Sequence, residues 1–257
     1  MAILIAGRSI GMILLLSELV LLWYFNKRMK AGKMENIRAL PALAAIEECV
    51  GRSVELGKPV LSTTGYMGDV GPVGMVGLQS VSYVSKIAAE KGCEMVIAIA
   101  SANQLPIAIE NYRMGCIEGG RPESFNLDNV YYVTVEQRAY ISGIFGVINE
   151  RKPAGFVGIG GFWVDAIHIG VQLKRRGVYS IGGTEKYDSG AFFFITMDYT
   201  VFGSEMYALG AAMSKDPIAT SGVITEDILK YVLSILAVVG SILMAAKINI
   251  ILTIFGL

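Results

Sequence analysis

Two apolar segments close off the ends of this chain, and between them a long stretch alternates short apolar runs with amphipathic ones. The first segment runs from about Ile10 to Phe25 and the second from near Ile228 to the C-terminus. A bilayer crossing needs about 20 apolar residues, so each is read as one transmembrane helix. Trp23 and Tyr24 end the first segment, where aromatic rings prefer the headgroup level. Lys27, Arg28, Lys30 and Lys33 follow it and Arg8 alone precedes it. By the positive-inside rule the N-terminus is then outside and the middle of the chain cytoplasmic. A cleaved signal peptide would carry its basic residues ahead of the apolar run, and here they follow it. The resulting division is a transmembrane helix over 1–26, a basic linker over 27–34, a domain over 35–226 and a second transmembrane helix over 227–257.

The ends also suggest contacts. Ala237, Ser241 and Ala245 recur every four residues and make a ridge that lets another helix approach closely; Gly7 and Gly11 notch the first helix. Glu18 lies within the first apolar segment, where a carboxylate is costly and usually has a partner. Arg8 and Lys247 fall at other depths, so Glu18 is expected to be protonated, to bond Ser234 or Ser241, or to face another subunit.

In the middle region, PVLSTT, EMVIAIA, YYVTV, AGFVGIG, VYSIGG and DYTVFG read as strands; a helix follows each of the first four, the less clear stretch EKYDSGAFFFITM follows the fifth and SEMYALGAAMS the sixth. Continuous apolar strands alternating with helices make a parallel sheet covered on both faces. The fold expected is α/β: a Rossmann-like layered domain with a mostly parallel sheet of about six strands, flanked by one transmembrane helix at each end.

The segments LPALAAIEECVGRSVELGKPV, GLQSVSYVSKIAAEKG, RPESFNLDNVYYVTVEQRAYISG and GTEKYDSGAFFFITMDYTVFGSEMYALGAAMSKDP occur in that order. In order and spacing the chain resembles a prokaryotic family of membrane-anchored proteins carrying a domain of unknown function. The resemblance covers nearly the whole middle domain and the second apolar segment. It implies an integral membrane protein and carries over no activity, cofactor or functional residue.

Ligands of open α/β sheets bind beyond the carboxyl ends of the strands. That rule selects Thr63, Thr64 and Gly65 after the first strand, Ser101 and Asn103 after the second, and Thr134, Glu136 and Gln137 after the third. It selects Gly160, Gly161 and Asp165 after the fourth, and Gly182, Gly183, Thr184 and Glu185 at the fifth. Such a rim suits a small polar ligand or an anion and is expected to line the best-formed polar cleft. Glu136 and Asp165 also fall at helix starts, where a carboxylate simply caps. Gly65, Gly68, Gly71, Gly74 and Gly77 recur every third residue, a spacing that fits neither a P-loop nor the G-x-G-x-x-G fingerprint. A mobile lid, a subunit contact, a plain connector and a nucleotide cradle all remain open for that loop.

Composition narrows the chemistry. Formal net charge is zero, so nothing in the bulk balance points to nucleic acid. The single histidine, His168, weakens triad-hydrolase and multi-histidine metal readings, and no metal site is expected. Cys49, Cys93 and Cys116 have no metal-like spacing and read as buried free thiols. No cofactor is indicated. Two readings of function follow. The first is an oligomeric scaffold or partner- or ligand-binding module held at a lipid bilayer, assembling with copies of itself or with a protein partner. The alternative is an enzyme or sensor acting on a small polar or nucleotide-like ligand at the strand ends.

Overall fold

A computed structural model describes residues 9–31, 38–67 and 69–245. The chain divides into two compact units, one formed by residues 1–37 with 215–257, the other by Arg38–Ser214.

The larger unit begins with α2 (Pro41–Glu55), which follows helix α1 (Ser9–Lys30) of the smaller one. Six strands come next in alternation with helices: β1 (Val60–Thr63), α3 (Pro72–Lys91), β2 (Met95–Ile99), α4 (Leu105–Glu118), β3 (Val130–Tyr132), α5 (Gln137–Arg151), β4 (Gly155–Ile159), α6 (Asp165–Arg175), β5 (Tyr179–Thr184), α7 (Tyr187–Thr196), β6 (Tyr199–Phe202) and α8 (Ser204–Ser214). Proline opens α2, α3 and α4, where its missing N–H costs nothing and its fixed φ suits a helix. Gly92 closes α3 in the left-handed conformation. The stretch EKYDSGAFFFITM, which has no clear period, contains α7.

All strand pairings are parallel, in the order β3-β2-β1-β4-β5-β6. This is the doubly wound order, with the chain starting at the middle of the sheet and running to one edge before returning to build the other. β1 lies between β2 and β4, with Thr63 level with Ala98 on one side and Gly158 on the other. Central strands β1, β2 and β4 are buried at every position, as a sheet covered on both faces requires. One face packs Leu61, Val96, Ala98 and Phe156 against Tyr140, Ile144 and Ile148 of α5, Ile169 and Leu173 of α6, and Phe193 of α7. On the other, α3 packs with α2, α4 and α8.

Phe193 is fully buried, edge-on to Phe162 with ring centroids 5.0 Å apart, and its ring lies against the bare backbone of Gly182. A side chain on Gly182 would displace it, so the glycine in β5 is the seat on which α7 rests.

In the smaller unit α1 packs against α9 (Pro217–Ala245). Among the described residues no helix is long and apolar enough to cross a membrane. This overturns the transmembrane helix expected at each end. The two-pass topology, the outside N-terminus and the cytoplasmic placement of the middle domain fall with it, and the bilayer expected as a partner loses the spans it rested on. Residues 1–8 and 246–257, which those spans include, lie outside the described residues, as do Gly7, Arg8 and Lys247. The described course of α1 carries Glu18 at its middle and Asn26, Lys27, Arg28 and Lys30 near its end. α9 begins at Pro217 rather than near residue 228, and its first half carries Glu226, Asp227 and Lys230.

Truncating Phe193 to alanine empties the seat on Gly182 and leaves Phe162 without its edge contact. Urea denaturation of Phe193→Ala is expected to show a loss of about 3–5 kcal/mol. A loss below ~1 kcal/mol would mean that α7 does not depend on this packing.

Candidate functional site: the strand ends between β1 and β4

A doubly wound sheet offers a crevice where its strand order reverses, because the connections on either side leave to opposite faces. Here that point lies between β1 and β4. Main chain fills it. The Gly161 N–H donates to the Thr64 carbonyl at 3.0 Å, and the Met67 N–H donates to the Gly161 carbonyl at 3.0 Å. Gly65 has φ of 78° and Gly160 φ of 144°, values that side chains rarely tolerate. A Cβ on Gly65 would overlap the Gly161 carbonyl, and one on Gly160 would overlap the Thr64 carbonyl. The loops after β1 and β4 therefore touch backbone to backbone, in the space a pyrophosphate occupies in dinucleotide-binding sheets.

The hydroxyls expected to form the rim are buried and engaged. Thr63 Oγ1 and the Tyr140 hydroxyl are 2.7 Å apart. Thr64 Oγ1 donates to Gln104 Oε1 at 2.7 Å, and Gln104 Nε2 donates to the Asp69 carbonyl at 3.0 Å. Gln104 thus ties the end of β1 to the turn before α3. Ser101 is buried, and its carbonyl caps the start of α4 by accepting the Gln104 and Leu105 N–H groups. Asn103 is exposed, with Nδ2 3.5 Å from Asp69 Oδ1. Gly183 ends inside β5, where its carbonyl accepts the Gly160 N–H. Thr184 is buried, and Glu185 turns away to accept a 2.6 Å hydrogen bond from the Tyr207 hydroxyl. Of the glycines repeating after β1, Gly68 lies outside the described residues, while Gly71 caps α3 and Gly74 and Gly77 are inside it. The repeat is half loop and half helix.

Glu136 is the N-cap of α5. Its Oε2 accepts the Ala139 N–H at 2.7 Å, and this bond with that from Arg138 holds the carboxyl below its ordinary range. Asp165 differs. It is fully buried at the first position of α6, and Oδ1 accepts the Trp163 N–H at 2.7 Å while Oδ2 has no hydrogen-bond partner. Burial pushes the carboxyl up to about 6, against the Trp163 N–H, the Gln137 side chain and His168, which pull it down. Gln137 is near enough to act on the carboxylate, yet its buried Nε2 also lacks a hydrogen-bond partner. His168 is exposed, with Nδ1 3.0 Å from the Val164 carbonyl one turn back.

Sequence reasoning brought Thr63, Thr64, Gly65, Gly160, Gly161 and Asp165 to one end of the sheet. It missed Gln104 and Tyr140, the side chains that engage the two threonines. Both read as ordinary members of amphipathic helices, and their roles depend on contacts 40 and 77 residues away in sequence. The larger clefts lie elsewhere. One of about 500 Å³ is lined by Tyr131, Tyr132, Thr134, Gly143 and Glu150 beside the edge strand β3; another, of about 370 Å³, is lined by Arg52, Leu56, Gly177 and Tyr179. Thr134 alone of the expected rim residues lines the first.

Around the closed crevice the surface carries exposed apolar side chains. Met67, Trp163, Val164 and Tyr187 are exposed. The Lys186 ammonium sits 5.5 Å over the Trp163 ring and 3.4 Å from the Met67 sulfur, and Trp163 Nε1 donates to Asp188 at 3.1 Å. Beside the backbone N–H of Ser189, Lys186 lowers the Asp188 carboxyl, and beside those of Ala139 and Arg138, the Arg138 charge lowers that of Glu136, so both cations act on acidic neighbours.

A family described as a domain of unknown function, DUF6754, matches residues 2–255. The chain belongs to this family. No curated protein and no solved structure matches it. The DUF6754 match runs through both terminal segments, whereas the resemblance drawn from the sequence rested on the middle domain and the second segment. The family description brings no activity to the strand ends. Among the described residues of this DUF6754 chain, no group of three or more His, Cys, Asp and Glu side chains is placed to hold a metal ion. Its three cysteines are free and buried, and burial pushes the thiols of Cys49 and Cys93 up to about 12 and about 11.

Two outcomes follow from this geometry. Because folding raises the Asp165 pKa, the protonated carboxyl is the form the fold favours. Its contribution is complete below about pH 4, the value for an unfolded aspartate, and is lost as pH rises through about 6. Asp165→Asn keeps the acceptor for Trp163 and cannot ionise. It is expected to match the parent at pH 4 and to exceed it by about 1–3 kcal/mol at pH 7; a difference independent of pH would contradict the raised pKa. Gly160→Ala forces a side chain into the Thr64 carbonyl and is expected to cost at least about 3 kcal/mol in urea denaturation. Gly120→Ala, also at positive φ but in open space, is expected to cost about 1 kcal/mol.

Proposed function

We propose that this DUF6754 chain is an oligomeric scaffold: it assembles with copies of itself through α1 and α9 and presents the apolar rim of its α/β unit to a protein partner. The observation that carries the reading is the apolar surface of the helix pair. Leu15, Leu16, Leu19, Val20 and Trp23 on α1 are exposed, as are Ile235, Leu236, Val238, Val239 and Ile242 on α9. Folded monomers rarely leave contiguous apolar patches of this kind uncovered.

Glu18 supports a subunit contact. It is exposed among those apolar residues. The serines expected as its partners in the same chain are occupied, since Ser234 Oγ donates to the Lys230 carbonyl at 2.7 Å and Ser241 Oγ to the Ala237 carbonyl at 2.8 Å. The Ala237, Ser241 and Ala245 ridge offers a neighbour close approach. The alternative, an enzyme or sensor with its ligand at the strand ends, is disfavoured by the backbone contacts that fill the crevice.

Native mass measurement with sedimentation is the test. The full chain is expected to form a discrete oligomer, and Glu18→Leu to weaken its assembly at least tenfold. A strict monomer across all concentrations would refute the scaffold reading. Assembly unchanged in Glu18→Leu but lost in Ile235→Asp would keep the interface and remove Glu18 from it.

A further inference from the structure

β3 is an edge of the sheet, and the cleft of about 500 Å³ beside it has the strand for one wall and α5 for the other. The Val133 N–H donates to the Ile99 carbonyl at 2.8 Å, so the main chain of Val133 faces β2. In a parallel ladder alternate residues of a strand turn to the same neighbour, so Tyr132 points its N–H and C=O the other way, to the open edge. Tyr131 and Val133 pack their side chains on the core that includes Tyr140, Ile144 and Val147 of α5.

α5 supplies the floor. Ala139, Gly143, Gly146 and Glu150 line the cleft and follow one another at helical spacing, so they share a face. The first three put nothing larger than a methyl group there. A Cβ on Gly143 would overlap the Val133 side chain, whereas one on Gly146 would meet nothing. Beyond this low stripe Glu150 is exposed, and its Oε1 accepts the Tyr131 hydroxyl at 3.2 Å. Among the described residues lining the cleft, Glu150 alone carries a charge.

We propose that this cleft binds an extended peptide segment of a protein partner, which adds to β3 as a further strand and sets a lysine or arginine against Glu150. The exposed backbone of an edge strand is a template for such pairing: main-chain hydrogen bonds give affinity, and the space for alternate side chains gives selectivity. Every second side chain of the incoming strand falls on the α5 side. There the low stripe leaves room for it and the carboxylate selects its charge. Val133 stands by Gly143 and Tyr131 by Glu150, so strand and helix run in opposite directions. The cation therefore enters at the Tyr131 end, with an apolar residue two positions away over Gly143. A second copy's own β3, Val130–Tyr132, could pair with the edge but would bring no cation to Glu150.

The site lies within the α/β unit and does not rest on assembly through α1 and α9. Fluorescence anisotropy tests it on the full chain with a labelled synthetic probe, acetyl-Ser-Val-Thr-Lys-Thr-Val-Ser-amide, whose valines and lysine share a face when extended. The probe is expected to bind saturably. Its counterpart with glutamate in place of lysine is expected to bind at least about tenfold more weakly, and Glu150→Lys to reverse that preference. Methylating the backbone nitrogens of alternate residues is expected to abolish binding for one of the two alternating sets and to spare it for the other, as a strand paired on one side requires. Gly146→Phe, at a position with open space, is expected to keep the circular-dichroism signal of the parent and to lose at least about tenfold in probe affinity. No saturable binding, equal binding of the lysine and glutamate probes, or equal tolerance of both methylated sets overturns the proposal. So does a Gly146→Phe chain that binds the probe as the parent does, or one whose assembly falls in sedimentation, which would give the edge to a second copy.

Discussion

Everything at the top of this sheet depends on one contact, the main chain of the β1 loop lying directly on the main chain of the β4 loop. Two hydrogen bonds hold it, Gly161 to Thr64 and Met67 to Gly161. Glycine at 65, 160 and 161 permits it, since a side chain at any of these would meet backbone. In a doubly wound sheet the same place usually stays open as the ligand crevice. Here the space is spent on cohesion between the two halves of the sheet. That exchange explains why Thr63 and Thr64 are buried and bonded inward rather than turned toward a ligand.

Closing the crevice displaces polarity in two directions. Inward, it leaves Asp165 in an environment that favours its neutral form, close to Gln137 and beneath the loop bearing Tyr66, whose own hydroxyl burial and the Asp165 charge push up. Outward, it leaves a surface of Met67, Trp163, Val164 and Tyr187 braced by Lys186. An acid buried under an apolar lid resembles the first half of an active site without the second, the space for a substrate.

The alternation of strands and helices was legible because buried parallel strands write themselves as unbroken apolar runs, as in Met95–Ile99 and Gly155–Ile159. Strand order was not legible, since nothing local distinguishes a crossover after β3 from one after β2. Glu136 was readable as a cap from its place before α5. Asp165 looked the same in sequence, and what separates the two is depth, which depends on how α5 and α6 pack. The rim glycines at 65, 160 and 161 mark a close approach, and in the structure another loop makes that approach; the sequence alone does not say whether a ligand or a loop is the neighbour. At the ends of the chain, the apolar runs have the length of membrane spans in sequence, and the described helices do not reach that requirement. The boundary that moved most was the start of α9, whose polar first half reads in sequence as the tail of the preceding domain.

The three thiols carry a practical consequence. Cys49, on the buried face of α2, lies against β4 and β5, Cys93 precedes β2, and Cys116 is near the end of α4. With Cys49 held near 12 and Cys93 near 11, the thiolate fraction at pH 7 is about one in 10⁴ or less. Alkylating reagents consume thiolates that they can reach, and a closed fold offers them almost none. The rate at which this chain takes up such a reagent is then set by how often each part of the sheet opens, and the natural cysteines serve as built-in timers of local unfolding with no label added.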